Sequence, residues 1–583
     1  MGASSSSTGK SSAQEIEVHE LEARLTATGD LPLLQHVFTK FSRSSTSASV
    51  STKPAIPFST LQATLSFSAL NIKVSSNSEG PQLSKLIQCI GPSVAEVVFE
   101  PEKDVDWMKF LKGYEKHCKQ SFGATKLKNL MILLCQIRKF ARLPSGVNHT
   151  SQVVESFKDA DLEGLIAESQ VREFLSLCWL MMSSPTIQKA SYDASTGQLQ
   201  VELPDIETLV RASMLAGHSG RTTDHVERLE IPHTDGSDKE IPIQGLFSWM
   251  LATIPGVSNA LPQYVQDQLV QSGSTKMGEN KFQKAFPEIS QSTVGSIARD
   301  KAGIAKEPIK STDSSGLLNI GRAWAVGLSL QGQIGAELVK ASGNIHETLE
   351  SHINLLYRSS VHGQGMNRFW KQVEGYKGPV LILLAAKSSQ KIEEDGGQNA
   401  EESSWVLGFF VPEGLENKAS FYGGSGCCIF AIEPEFHPFR TTGRDRCFVY
   451  SYKQAPGSMY SSQPKQEGIG FGGGYGKQRV WLDDDFLSVT VRHHAVDKSY
   501  QSGKLVPGQG YGNVGGKVLE VEVWGLGGLA AEEKQTAYQQ RQNVFLEQRR
   551  KVDLKAFGDW EESPEKAMLN LLSDPTKVAR EDR

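Results

Sequence analysis

Residues 468–482 read Gly-Ile-Gly-Phe-Gly-Gly-Gly-Tyr-Gly-Lys-Gln-Arg-Val-Trp-Leu, and the reading of this run decides the class of the second half of the chain. The spelling Gly468-x-Gly470-x-x-Gly473 satisfies G-x-G-x-x-G, whose use is to bring backbone N–H groups and a helix N-terminus against a pyrophosphate. That chemistry needs a strand, a turn and then a helix. Here Gln478-Arg-Val-Trp-Leu482 follows, a strand pattern, so no helix dipole would face the phosphate. The run reads instead as a glycine turn where backbones approach closely between sheets.

Short β-like runs flank it: Val380 to Leu384, Trp405 to Val411, Cys428 to Ile432, Cys447 to Tyr452, Arg479 to Leu482 and Val518 to Trp524, separated by glycine-rich turns. Val380 to Leu384 is apolar on both alternating faces, as in a strand covered on both sides, whereas Glu520 and Glu522 interleave with Val521 and Val523 as in a half-exposed strand. Two packed sheets would explain both patterns. Upstream, from about residue 21 to 271, apolar residues recur at three- and four-residue steps, as in Leu127, Leu130, Met131 and Leu134 or Phe174, Leu177, Cys178 and Met181, which predicts a helical region. Residues 272–314 are rich in Ser, Lys, Gly and Thr and read as a linker. Beyond 528, Ala530 to Phe557 lacks Gly and Pro and predicts a long helix. Tyr538, Phe545 and Val552 give that helix a narrow apolar seam, for docking on its own domain or on a partner.

The bulk properties restrict function. At 583 residues the chain holds about two to four packed units. Its 39% hydrophobic and 22% charged residues and net charge of −5 lack the basic excess that favours nucleic acid. Seven cysteines without a CxxC pair read as reduced thiols, neither a disulfide framework nor a zinc site. No run approaches the ~18 to 20 apolar residues of a membrane span. The start, Met1-Gly2-Ala3-Ser4-Ser5-Ser6, lacks the apolar core of a signal peptide but fits M-G-x-x-x-[ST], so Gly2 is a candidate for myristoylation within a disordered segment 1–20. One such chain gives only reversible membrane contact and needs a second anchor.

Cys427 and Cys428 follow Gly423-Gly424-Ser425-Gly426 and are candidate redox thiols, but no base stands nearby in sequence. His346 and His352 are six apart, not the four that a zinc helix needs. His493 and His494 would point to opposite sides of a strand, and Asp483-Asp484-Asp485 reads as a solvated turn. Asp159, Asp161 and Glu163, with Gly164 and Ile166, resemble the start of an EF-hand loop whose twelfth position is Gln170. Without the bidentate Glu, a degenerate EF-hand-like scaffold is expected rather than a calcium sensor, and no cofactor is called for.

Several separated strings then share one resemblance. They are Leu355-Leu-Tyr-Arg-Ser-Ser-Val-His-Gly363, Gly378-Pro-Val-Leu381, Val406-Leu-Gly408-Phe409, Ser425 with Phe430, the run containing Gly470, Gly472 and Gly473, and Glu520-Val-Glu522-Val-Trp524-Gly525. In order and spacing they are similar to the TLDc family, over residues 315–527. The resemblance implies an α+β chain: an EF-hand-like helical region, then a β-sandwich flanked by helices, then a C-terminal helix with tail (528–583). It also implies a link to oxidative-stress resistance, binding to the vacuolar-type proton ATPase, and no catalytic residue. The wider arrangement resembles the branch associated with lysosomal or vacuolar membranes, and also plant members, some described as nucleolar. The acidic insertion Glu393 to Glu402 and Ser488-Val-Thr-Val491 depart from the family pattern. The expected function is a non-enzymatic adaptor, peripheral on a vacuolar or lysosomal membrane. A redox-protective role through Cys427 or Cys428 and a nuclear or nucleolar factor are the alternatives, the latter disfavoured by the acidic balance.

Overall fold

The computed structural model describes residues 7–44, 54–67, 72–74, 80–101, 104–119, 122–143, 164–190, 199–201, 203–219, 239–274, 316–343, 353–391, 400–454, 465–561, 566 and 568. The first helix spans Ser7–Ala27, so residues 7–20, expected to be disordered, are helical. Leu21 and Leu25, one turn apart, are buried, and Arg24 reaches Glu115 while Glu17 reaches Lys112. Tertiary contacts of this kind override a weak local propensity.

Among the described residues the helical region shows four helix–loop–helix units. They are Leu31–Ser44 with Phe58–Thr64, Gly80–Phe99 with Trp107–Cys118, Gly123–Phe140 with Glu168–Ala190, and Glu207–Ser219 with Ile243–Thr253. It is not purely α. A three-residue strand precedes the second helix of each unit: β1 (Ala55–Pro57), β3 (Asp104–Asp106), β4 (Leu165–Ala167) and β6 (Glu240–Pro242). β1 pairs with β3 through Ile56 and Val105, and β4 pairs with β6 through Ile166 and Ile241. The helix–loop–helix frame that the pattern at Asp159 suggests therefore occurs four times among the described residues, in two pairs. β2 (Ile72–Val74) and β5 (Leu199–Val201) form a separate parallel pair. Asp106 shows how such a strand hands over to its helix: its carboxylate accepts the N–H of Lys109 at 2.8 Å, filling an orphan donor.

Among the described residues the second half holds eleven strands: β7 (Asn354–Arg358), β8 (Val380–Lys391), β9 (Ala400–Val411), β10 (Lys418–Tyr422), β11 (Cys428–Glu433), β12 (His437–Arg440), β13 (Val449–Tyr452), β14 (Gly468–Gly474), β15 (Lys477–Asp483), β16 (Ser488–Val491) and β17 (Val514–Gly525). They join in one antiparallel ladder ordered β10-β13-β14-β15-β16-β17-β8-β9-β11-β12, with β7 also on β17. The ladder curls until its two halves face each other, and Phe409 on β9 stacks on Phe471 on β14. The two layers of the expected sandwich are thus one continuous sheet.

β8 is covered on both faces, as its sequence predicts. Val380, Ile382, Leu384 and Ala386 face the core inside the curl, while Leu381, Leu383 and Ala385 join the core of the helical region on the outer side. Phe410, Phe430, Phe436 and Trp524 enter that same outer core, so the helical region and the sheet share one apolar interior. Polar contacts line the seam. Arg322 pairs with Glu433, and Arg440 donates to the carbonyls of Ser329 at 3.2 Å and Ala252 at 3.3 Å, near the C-termini of two helices.

β17 corrects the sequence reading. Glu522 was expected on a solvated face, yet it is fully buried. Its carboxylate accepts the N–H groups of Leu317 at 2.9 Å and Leu318 at 3.2 Å and the indole N–H of Trp524 at 2.9 Å, and it pairs with Arg358 at 2.8 Å. Residues over two hundred positions away cover this face, which alternation alone cannot reveal.

Candidate functional site

The glycine run is not itself the turn expected from its sequence: Gly468–Gly474 is strand β14, and the turn falls at Tyr475-Gly476. Gly470 lies opposite Trp481 in the β14–β15 register, and the indole covers the glycine face. A Cβ on Gly468 would stand 2.6 Å from the Trp481 ring, and one on Gly470 3.0 Å from it. Trp481 is fixed there by donating its N–H to Asp483 at 2.7 Å. Beside Gly472 and Gly473 sits Asp497, which accepts the N–H of Gly473 at 2.9 Å. The groups against these glycines thus include the Trp481 indole, the Gln478 side chain, the Lys477 carbonyl and the Asp497 carboxylate, the last of which repels a phosphate. Asp497 also pairs with the buried Arg479 at 3.4 Å. That guanidinium further donates to the carbonyls of Gln501 at 2.6 Å and Gly503 at 2.8 Å and lies 4.9 Å over the Phe439 ring. Both terminal nitrogens of the guanidinium are engaged within the protein while Nε has no hydrogen-bond partner among the described residues, and the network ties β15 to residues 497–503.

The remaining signature residues are also structural. Gly408 leaves room for Ile432 across the ladder, and the Tyr376 ring packs on Gly525. Ser359 donates to Glu520 and accepts the N–H of Val521 at 3.0 Å, which ties the end of β7 to β17.

Cys427 and Cys428 are buried. Cys427 Sγ lies 3.9 Å from a Glu413 carboxylate oxygen, and Cys428 Sγ lies 3.5 Å from the Phe439 carbonyl. Burial pushes both thiols up to about 12, helped at Cys427 by the Glu413 charge. Thiolate is therefore scarce at neutral pH, and reactivity falls with it. Cys447, which the sequence reading passed over, is less buried but is also pushed up to about 11, by burial and then Asp445.

Among the described residues no group of three or more His, Cys, Asp or Glu side chains could hold a metal ion. Asp159, Asp161, Glu163, His346, His352 and Gly2 lie outside the described residues. Gln170, at the twelfth position of the calcium-like loop, is buried and turned inward: its amide oxygen accepts the N–H of Ala167 at 3.3 Å. His493 and His494 do not diverge as expected of a strand, because they enter a short 3-10 turn, and their ring centroids are 4.0 Å apart. His493 accepts the N–H of Ala495 and stacks on Tyr511. In the acidic turn, Asp483 bonds Trp481 and Ser488 while Asp485 accepts the N–H of Leu487, so turn geometry accounts for both.

A further exposed apolar group is at the far end. Among its described side chains the last helix, Gly528–Glu561, docks through its first turns. Ala531 is buried, Gln535 donates to the Gln372 carbonyl at 2.7 Å, and Tyr538 donates to Glu374 at 3.0 Å. From Gln540 to Val552 every residue is exposed. Val544, Phe545, Leu546 and Val552 show 54, 59, 51 and 66% of their surface to solvent, beside Arg541, Arg549, Arg550 and Lys551. The helical stretch 539–561 is about 35 Å long at ~1.5 Å per residue. The seam read in the sequence is thus split: Tyr538 docks on the domain, and Phe545 and Val552 face outward. No described helix is long and apolar enough to cross a membrane.

Comparison with known proteins fits this architecture. The family model described as TLDc domain matches residues 338–527. The chain is 24% identical over 181 residues to MTOR-associated protein MEAK7 of Danio rerio, covering 31% of this chain and 34% of that one. It is 29% identical over 131 residues to Oxidation resistance protein 1 of Homo sapiens, covering 22% of this chain and 12% of that one. The bovine protein of that name gives 27% over 132 residues. The matches thus span about a third or less of the relatives' own lengths. Sequence strings, a curled antiparallel sheet held by buried signature residues, and the family match converge: residues 338–527 of this chain are a TLDc domain.

Proposed function

We propose that the chain is a non-enzymatic TLDc regulator that docks on a protein complex through its projecting C-terminal helix and the adjoining domain. The exposed pair Phe545 and Val552, seven residues apart on one face, with Val544 and Leu546 exposed to either side of Phe545, on a helix standing clear of its domain carries this reading. Apolar side chains left in solvent cost solubility unless a partner covers them. Their basic flanks suit an apolar groove edged with carboxylates. The vacuolar-type proton ATPase is the partner that the TLDc resemblance implies. The names of the relatives, one MTOR-associated and one for oxidation resistance, support work within a complex and a link to oxidative stress.

Gly2, once acylated, would add a weak and reversible hold on a vacuolar or lysosomal membrane, on its cytoplasmic side. Membrane fractionation of the native chain and of Gly2→Ala, with mass spectrometry of the N-terminus, tests this. A myristoylated chain on membranes together with pump subunits, and a Gly2→Ala chain shifted to the soluble pool, is the expected result. An unmodified N-terminus and an unchanged distribution would contradict it.

A further inference from the structure

The four helix–loop–helix units share one register. In each, a buried β-branched residue stands two places before the second helix: Ile56 before Phe58, Val105 before Trp107, Ile166 before Glu168 and Ile241 before Ile243. Ile166 is the eighth residue of the calcium-like loop that starts at Asp159. The same count in the other loops puts Thr60, Lys109, Gln170 and Gly245 at the twelfth position. None is a carboxylate, so no loop can supply the bidentate ligand that closes calcium coordination.

What such paired units clasp is already present. Helix Ala260–Ser274 buries Leu261, Tyr264, Val265 and Leu269 completely and Gln268 almost so, the i, i+3, i+4, i+8 spacing of a helix laid in an apolar groove. It touches both pairs of units. Tyr264 donates to the Leu65 carbonyl at 2.6 Å after the first unit, and Gln263 donates to the Met182 carbonyl at 3.4 Å in the third. It also packs on helices Trp107–Cys118 and Gly123–Phe140. Its C-terminal carbonyls are met by the first unit: Lys40 donates to Ser272, and His36 Nε2 lies 3.2 Å from the Gly273 carbonyl. A cation at a helix C-terminus complements the dipole.

We propose that residues 31–274 form a helix clamp of EF-hand type that carries its own target. Helix Ala260–Ser274 fills the groove in cis, and the clamp is shut without a cation. The groove then recruits no partner helix, which leaves recruitment to surfaces outside it, and this holds whether or not the C-terminal helix is the docking strip.

Hydrogen exchange of the full chain, in EGTA and in excess calcium, tests it alongside a fluorescent peptide of residues 258–274. The amides of 260–274 are expected among the slowest of the helical region, with rates changed by no more than about twofold by calcium. The peptide is expected not to bind the native chain. Lys40→Glu, at the rim of the groove, is expected to speed exchange at 268–274 several-fold while β8 and β9 stay as they were. Calorimetric calcium binding with deprotection of 260–274, peptide capture by the native chain, or Lys40→Glu without local effect would overturn the proposal.

Discussion

Phe409 and Phe471 stack with ring centroids 3.8 Å apart and planes 8° from parallel, although their strands are five places apart in the ladder. The contact therefore closes the curl of the sheet, and both rings are buried. Phe471→Ala is expected to cost about 3–5 kcal/mol, the usual range for a large core ring. A double-mutant cycle with Phe409→Ala in urea should show that the pair's losses do not add, because each ring is the other's partner.

The Trp481 indole over Gly468 and Gly470 predicts how the glycine run responds to substitution. Gly468→Ala would set a Cβ 2.6 Å from both the indole and the Leu482 carbonyl, with an expected loss of about 1–3 kcal/mol from overpacking. Thermal unfolding with and without NAD or ADP separates this from a phosphate cradle. The nucleotides should leave the melting temperature of the native chain unchanged.

His117 is buried with neither ring nitrogen hydrogen-bonded, and burial, then Lys116, lowers it from 6.5 to about 4. The folded state thus holds the neutral ring, and the unfolded state binds a proton first as pH falls. Stability is expected to fall between pH 6.5 and about 4, by about 2 kcal/mol from this group at pH 5. Urea midpoints at neutral pH and pH 5 should show a smaller drop for His117→Leu than for the native chain.

The raised thiols of Cys427 and Cys428 predict slow chemistry. Iodoacetamide at neutral pH, followed by peptide mass spectrometry, should label both only after denaturation. Labelling of either in the native chain within the time that a free thiol takes would restore a redox role.

Legibility in the sequence followed the range of the interactions concerned. The continuous apolar run Val380 to Leu384 announced a strand covered on both faces, because period and burial are local properties. Of four equivalent loops, only the one with Asp159, Asp161 and Glu163 sets acids at positions 1, 3 and 5 with Gly164 at 6; Glu100, Glu102, Asp104 and Asp106 are displaced to positions 3, 5, 7 and 9 of the loop around Val105, and the loop around Ile56 has no acid. Glu522 looked solvated because its covering partners, Leu317, Leu318 and Arg358, are remote in sequence. The C-terminal seam was visible as Tyr538, Phe545 and Val552, but where the helix leaves its domain depends on Gln372 and Glu374, which no periodicity reports.

The docking claim is tested most directly by purifying the native chain and a Phe545→Glu/Val552→Glu variant from solubilised membranes and quantifying proton-pump subunits in each. Both positions are solvent-exposed, so the variant should melt as the native chain does. Pump subunits are expected with the native chain and should fall by about tenfold or more with the variant, equivalent to ~1.4 kcal/mol of binding. Equal recovery from both, or pump subunits with neither, would contradict the account.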